Sequence, residues 1–270
     1  MSAGLPESVG TLGGGNMAEA ILRGLIAAGS DPQALIAADP LPERRELLAR
    51  SLGIRTTDEG AEVVRAVELV VIAVKPQQLE AALGGLPQEP RPLYLSIVAG
   101  ARVARLRQLL PPGARVVRSM PNTPALVGTG ASALATGSGA SDADLERASR
   151  VLEAVGLVVR VPEPELDAVT GLSGSGPAYV YRVLEGLVEG GVREGLSSQT
   201  ARILAVQTVL GAARMLEATR EEPAQLREKV SSPGGTTLAG LAVLEERGLH
   251  EALVAAIRAA AARSRELSRS

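Results

Sequence analysis

The chain has 270 residues and a formal net charge of −2, with no Cys, Trp or Phe, three Tyr and a single His. One His without Cys cannot build a zinc site, and disulfides and thiol catalysis are excluded outright. The near-neutral charge and 1% aromatic content give no reason to expect a nucleic acid or an anionic membrane as partner. Lysine occurs only as Lys75 and Lys229, so a Schiff base or lysine base would have to use one of these, and a Ser–His–Asp triad would need His250. The segment Met1–Gly10 has no basic region followed by a long apolar one, so the sequence predicts no secretory signal and a cytoplasmic protein. The apolar runs Leu69–Val74 and Ile203 to Ala213 are shorter than the roughly 18 residues of a membrane span.

In chain order, Ser8–Leu12 reads as a strand, followed by a glycine cluster and a helix over Met17–Ala28. Ala34–Ala38 is a second strand. Leu41–Leu52 is a helix with Pro42 in its first turn and Gly53 just past its end. Ile54–Thr56 is a short third strand. Leu69–Val74 is six consecutive apolar residues ended by Lys75-Pro76, the pattern of a strand buried on both faces of a parallel sheet. Leu93–Ile97 and Val116–Arg118 follow in the same style, with a helix over Val103–Leu110 between them. Ala131–Ala135, a helix over Ser141–Val155 and Leu157–Val161 complete this half. Strands alternating with helices imply right-handed crossovers and an α/β fold with a mostly parallel sheet.

The character changes at Pro162-Glu163-Pro164, which predicts two domains, 1–162 and 163–270. Beyond it no strand is predicted. Pro177–Glu194, Ser198–Thr219, Pro223–Val230, Thr237–Glu246 and Glu251–Leu267 read as helices, several apolar around most of their circumference. So short a helical half cannot bury that much apolar surface alone, which predicts a homodimer formed through it; a compact monomeric bundle is the alternative.

Gly13-Gly14-Gly15-Asn16-Met17-Ala18 fits G-x-G-x-x-[GA] between a strand and a helix. There, glycines permit a tight turn and let backbone amides approach a pyrophosphate at the helix N-terminus. Asp39 ends the second strand, where a carboxylate can hold a ribose 2′-hydroxyl, or serve as a turn residue before Pro40. Arg44 and Arg45 lie close enough to offer charge to a phosphate, so the preference between NADH and NADPH stays open. Lys75-Pro76 and Ala99-Gly100 stand at strand ends where ligands of open α/β sheets lie, although a solvated lysine is also compatible. Two polar glycine stretches, Gly171–Pro177 and Ser231–Thr237, are expected as flexible loops that open helices. They read either as anion nests for a substrate carboxylate or as ordinary Ser/Thr capping. His250 reads as a surface or capping residue.

Gly15–Ala18 (GNMA), Ala73–Pro76 (AVKP), Met120–Pro124 (MPNTP), Gly171–Tyr179 (GLSGSGPAY) and Ser231–Thr237 (SSPGGTT) together resemble the signature segments of the pyrroline-5-carboxylate reductase family, in order and over nearly the whole chain. The resemblance implies an N-terminal Rossmann-type domain and a C-terminal all-α dimerisation domain, with dimers often assembled into decamers. It implies NADPH or NADH as cofactor, 1-pyrroline-5-carboxylate as substrate and L-proline as product, the last step of proline biosynthesis. Carried onto this sequence, Gly13, Gly14, Gly15, Asn16, Met17, Ala73, Val74, Lys75, Pro76 and Ala99 line the dinucleotide, and Asn122 and Thr123 border the nicotinamide. Glu163, Ser232, Gly234, Gly235, Thr236 and Thr237 line the substrate, with Thr237 as the catalytic residue that hydrogen-bonds the ring nitrogen. Two departures bear on the cofactor: Gly60 stands where members often have Asn near the adenosine, and Asp39 stands where NADP-preferring members often have a neutral residue.

Two other classes fit parts of the pattern. A β-hydroxy-acid dehydrogenase would carry a lysine in the helical domain beside a glycine-rich segment, and the helix after Gly171–Gly176 carries none. A non-catalytic regulator would bind the nucleotide without consuming it.

Overall fold

The computed structural model describes residues 4–89, 92–136 and 140–268; the outer ends of the two expected domains, Met1 and Ser270, lie outside them. The elements run β1 Val9–Leu12, α1 Asn16–Ala27, β2 Leu35–Ala38, α2 Pro42–Leu52, β3 Arg55–Thr57, α3 Gly60–Ala66, β4 Leu69–Ile72, α4 Leu79–Leu83, β5 Leu93–Ser96, α5 Val103–Leu109, β6 Arg115–Met120, β7 Gly130–Thr136, α6 Asp142–Glu153 and β8 Gly156–Pro162. After these come α7 Leu166–Val169, α8 Gly176–Arg193, α9 Ser198–Thr219, α10 Pro223–Lys229, α11 Thr236–Glu246 and α12 Leu249–Leu267.

The eight strands form one sheet in the order β3-β2-β1-β4-β5-β6-β7-β8. Strands β1 to β6 are parallel, and β7 pairs antiparallel with β6 and parallel with β8. Strand β4 shows why this sheet is covered on both sides. Leu69 and Val71 join a core with Ile21, Leu22 and Leu48 of α1 and α2, while Val70 and Ile72 join a second core with Val63 and Leu106 of α3 and α5. Alternate residues thus feed opposite helical layers, as the unbroken apolar run requires. Chain order reverses about β1 and β4, which places the topological switch point, and hence the ligand crevice, between their C-terminal ends.

Local chemistry fixes the helix ends. Pro42 starts α2, and Gly53 ends it in the left-handed region with its N–H on Ala49 O. Ser141 caps α6 in a reciprocal box with Asp144. Helices α3 and α4 are additions to the elements expected from sequence. Both are short, and an apolar pattern over five to seven residues gives no clear helical period.

One expectation is corrected. The Gly171–Pro177 stretch is helical rather than a flexible loop: Thr170–Gly174 forms a π turn that runs from α7 towards α8. The Thr170 hydroxyl donates to Leu166 O at 2.7 Å and the Ser173 hydroxyl to Val169 O at 3.1 Å, while Ser175 N–H closes the wide turn on Thr170 O. Hydroxyls that bond back to the preceding turn let polar residues stay helical and distort the helix locally.

The chain forms two compact units, one reaching Ser175 and taking in the residues from Arg258, the other spanning Gly176–Ile257. These limits differ from 1–162 and 163–270 because the residues after Pro162 pack on the sheet. Leu166 is buried with Ala133 and Ala135, and Asp167 accepts from Ser264 of α12 at 2.6 Å in a buried hydrogen bond. In the second unit α8, α10 and α11 bury no residue fully, and α9 buries only Ala201 and Ala205. Among the described residues no helix is long and apolar enough to cross a membrane.

Candidate functional site: a nucleotide cleft and an uncapped helix start

A cavity of about 740 Å³ opens at the C-terminal ends of β1, β2 and β4. Its lining includes Gly13, Gly15, Asn16, Asp39, Ala73, Val74 and Lys75, so seven of the expected cofactor residues meet there. Gly13 has φ +94°, and a Cβ on it would lie 2.7 Å from Ala73 O, so neither its conformation nor its space admits a side chain. Gly15 is the N-cap of α1 and supplies no side-chain cap, and a Cβ there would meet nothing within 4 Å. The first amides of α1 are therefore left for an anion, and the residues present fit a dinucleotide pyrophosphate.

Asp39 does two things at once. Its Oδ2 accepts from Gly14 N–H at 2.8 Å and its Oδ1 from Leu41 N–H at 2.9 Å, which makes it a turn residue, and it also lines the cavity. Arg44 Nε donates to Gly14 O, and Arg44 Nη2 to Glu19 at 2.6 Å. Arg45 donates to the carbonyls of Asp39 and Pro40 at 2.8 and 3.0 Å. Hydrogen bonds from Arg23 and Arg44 hold the Glu19 carboxyl below its ordinary range, against the opposing effect of burial.

The other expected cofactor residues are placed differently. Met17, in the first turn of α1, packs against the core, and Pro76 opens the 3₁₀ turn Pro76–Gln78. Ala99 is exposed in the turn after β5, and Thr123 is exposed at the start of the 3₁₀ turn Thr123–Val127 after β6. Topology puts both turns at the same sheet edge as the cavity, although neither residue lines it. Asn122 is buried, its Oδ1 accepting from Ala131 N–H at 2.8 Å and its Nδ2 donating to Ser173 O at 3.0 Å. Its side chain thereby ties β7 to the π turn. Glu163 Oε1 accepts from Val103 N–H at 2.9 Å and from Arg118 at 3.2 Å, which joins β8's end to α5 and β6.

In the second unit, Ser232, Gly234, Gly235, Thr236 and Thr237 lie together in the turn that opens α11. Gly235 N–H closes the turn on Ser232 O at 2.9 Å, and Gly234 has φ +69°. Gly235 is the N-cap and, like Gly15, offers no side-chain cap. The first amides and the two threonine hydroxyls of an eleven-residue helix are available to a carboxylate.

Sequence reasoning passed over part of the cavity wall: Glu59 and Ala61 beside Gly60, Gln78 just before α4, Ala82 within it, and Gly85 and Leu86 after it. The Gly84-Gly85 pair was the available signal. Gly60 also lines the wall; a Cβ on it would come 3.2 Å from Leu12 Cδ2, so a larger residue would press on the cavity floor.

Comparisons with known proteins agree along the whole chain. The family profile for pyrroline-5-carboxylate reductase dimerisation matches residues 163–267, and one described as NADP oxidoreductase coenzyme F420-dependent matches residues 8–100. A pyrroline-5-carboxylate reductase from Synechocystis sp. is 46% identical over 97% of this chain and 98% of its own length. One from Methanosarcina acetivorans is 41% identical over 97% and 98%. Among solved structures, a pyrroline-5-carboxylate reductase from Coxiella burnetii superposes with a TM-score of 0.90 at 36% identity, covering 97% of this chain and 99% of that one. A pyrroline carboxylate reductase from Plasmodium falciparum with NADP bound gives 0.85 at 27% identity, covering 97% and 98%.

Proposed function

The chain belongs to the pyrroline-5-carboxylate reductase family, and on that premise we propose how its residues carry out the reaction. It is an NAD(P)H-dependent oxidoreductase that reduces 1-pyrroline-5-carboxylate to L-proline. The observation that carries this is identity of 46% over 97% of the chain to a reductase of that name.

Gly13, Gly14, Gly15, Asn16, Met17, Asp39, Ala73, Val74, Lys75 and Pro76 are the proposed cofactor residues, with Ala99, Asn122 and Thr123 at the nicotinamide end. The uncapped start of α1 holds the pyrophosphate, and Asp39 the adenosine ribose. When bound, a reduced nicotinamide supplies the hydride that adds to the C=N carbon of the protonated imine and leaves the ring nitrogen as an amine. The protein's contribution is placement. Amides of the Ser232–Thr237 turn hold the substrate carboxylate, and the Thr237 hydroxyl positions the ring nitrogen, which fixes the face presented for reaction. A protonated imine is already electrophilic, so no strong acid is needed at this point. Glu163 belongs to the substrate set as a positioning residue, consistent with its bonds to Val103 and Arg118.

Residues 163–270 are the proposed substrate and dimerisation domain, and the protein is a cytoplasmic homodimer that assembles further into a decamer. The dimerisation profile over 163–267 and the exposed apolar faces of α8 and α9 support the dimer.

Steady-state assays with pyrroline-5-carboxylate, following loss of NADH or NADPH absorbance, test the reaction. Substrate-dependent oxidation of either cofactor is expected, and its absence with both overturns the assignment. Thr237→Ala should lower kcat/KM by roughly 10- to 1000-fold, the scale of losing one positioned hydrogen bond in a transition state. Near-normal kinetics would remove Thr237 from the mechanism.

A further inference from the structure

We propose that the corner around Asp39 makes this enzyme select NADH over NADPH, with Glu19 acting as a positioning residue that keeps Arg44 from receiving a 2′-phosphate. The inference rests on reading the cleft as the dinucleotide site.

Asp39 is held firmly, with Gly14 N–H on one carboxylate oxygen and Leu41 N–H on the other. A carboxylate so fixed keeps lone pairs free to accept from a ribose hydroxyl. The same carboxylate repels a phosphate that carries nearly two negative charges. The next residue, Pro40, has no N–H to offer such a phosphate.

Compensation would have to come from a cation, and among the described residues the two arginines that follow Asp39, Arg44 and Arg45, are engaged. Arg44 lines the cavity, but its Nε is on Gly14 O and its Nη2 is on Glu19 Oε2 at 2.6 Å. Glu19 is itself held ionised by Arg23 and Arg44, so it stays a firm anchor. Arg45 is fixed on two carbonyls and lies 3.8 Å from Asp58. Asp58 and Glu59 add further carboxylates to the lining. Lys75 lines the cleft from the end of β4, and β1 lies between that strand and β2, which carries Asp39 at its end. A ribose with a free 2′-hydroxyl therefore meets an acceptor, and one with a 2′-phosphate meets like charge.

The test is equilibrium binding of NADH and of NADPH to the full-length protein, read by nicotinamide fluorescence without substrate. NADH should bind tighter by roughly tenfold or more, the scale of one unfavourable charge contact. A ratio above about threefold supports the proposal, and one at or below it, or reversed, overturns it. Asp39→Ser should narrow the gap by weakening NADH binding and strengthening NADPH binding; an unchanged ratio removes Asp39 from the selection. Glu19→Gln frees one side of Arg44 and should strengthen NADPH binding while leaving NADH within about twofold. An unchanged ratio there removes Glu19 from the positioning role. Binding of neither nucleotide overturns the cleft assignment together with the preference, whereas equal binding of both overturns the preference alone. The wild-type ratio decides the main claim whether or not a variant folds.

Discussion

At the scale of single residues, function here rests on groups already engaged with the protein. Glu19 shows how such engagement reports on stability. Its folded pKa lies below the ordinary value of 4.5, chiefly through the hydrogen bond from Arg23 and then that from Arg44. A carboxylate shifted down stabilises the fold above its ordinary value and loses that contribution as pH falls through the folded one. Glu19→Gln should therefore lower Tm at neutral pH, with the difference from wild type closing below pH 4.5. A pH series of thermal melts reads this, and a difference that persists to the acid limit argues against the ion pairs as its cause. Thr11 is the opposite case. Its hydroxyl is buried on β1 with no hydrogen-bond partner among the described residues. Thr11→Val keeps the shape and removes an unsatisfied group, so it should stabilise by about 1 kcal/mol in denaturant unfolding.

At the scale of elements, short junctions decide where the site forms. The Gly13 turn lets β1 run into α1 against the Ala73 carbonyl. Gly13→Ala combines a left-handed backbone with that close approach. It should cost about 1–3 kcal/mol of stability and weaken nucleotide binding in the same titration. The buried Ser264–Asp167 bond joins α12 to α7 within the first compact unit. Ser264→Ala leaves the Asp167 carboxylate without that donor, for an expected loss of about 1–3 kcal/mol in chemical unfolding. The long helices and central strands were readable because their apolar periods are strong, and α9 appears with the expected limits. Helices α3 and α4 were not, although their residues wall the cavity at the sheet's C-terminal edge. The GLSGSG segment reads as a loop by composition and is helical by the hydroxyl back-bonds of Thr170 and Ser173. Composition records that glycine and serine tolerate turns, not which carbonyl a hydroxyl will reach.

At the scale of the whole molecule, the second unit has too few buried side chains to explain its own apolar content. Tyr181 of α8 and Ile203 of α9 are about 60% exposed in the single chain. Exposed apolar side chains of that size agree with the dimerisation profile that matches residues 163–267. Ile203→Glu should shift the assembly towards monomer in analytical ultracentrifugation, and an unaltered mass would place the interface elsewhere. Because folding and association are coupled in such a protein, wild-type Tm should also rise with protein concentration.

By itself the sequence determined the α/β class, the helical second half, the glycine turn and the family to which the chain belongs. Those features depend on period, spacing and backbone permissiveness, which are local properties of the chain. Tertiary structure alone decided what those residues face. It engaged Asn122 and Glu163 in struts between elements, made Asp39 both a turn residue and a cavity residue, and set Glu19 against Arg44 across 25 positions of sequence. Partners so far apart are brought together only by the packing of α1 on α2, and no local pattern records that encounter.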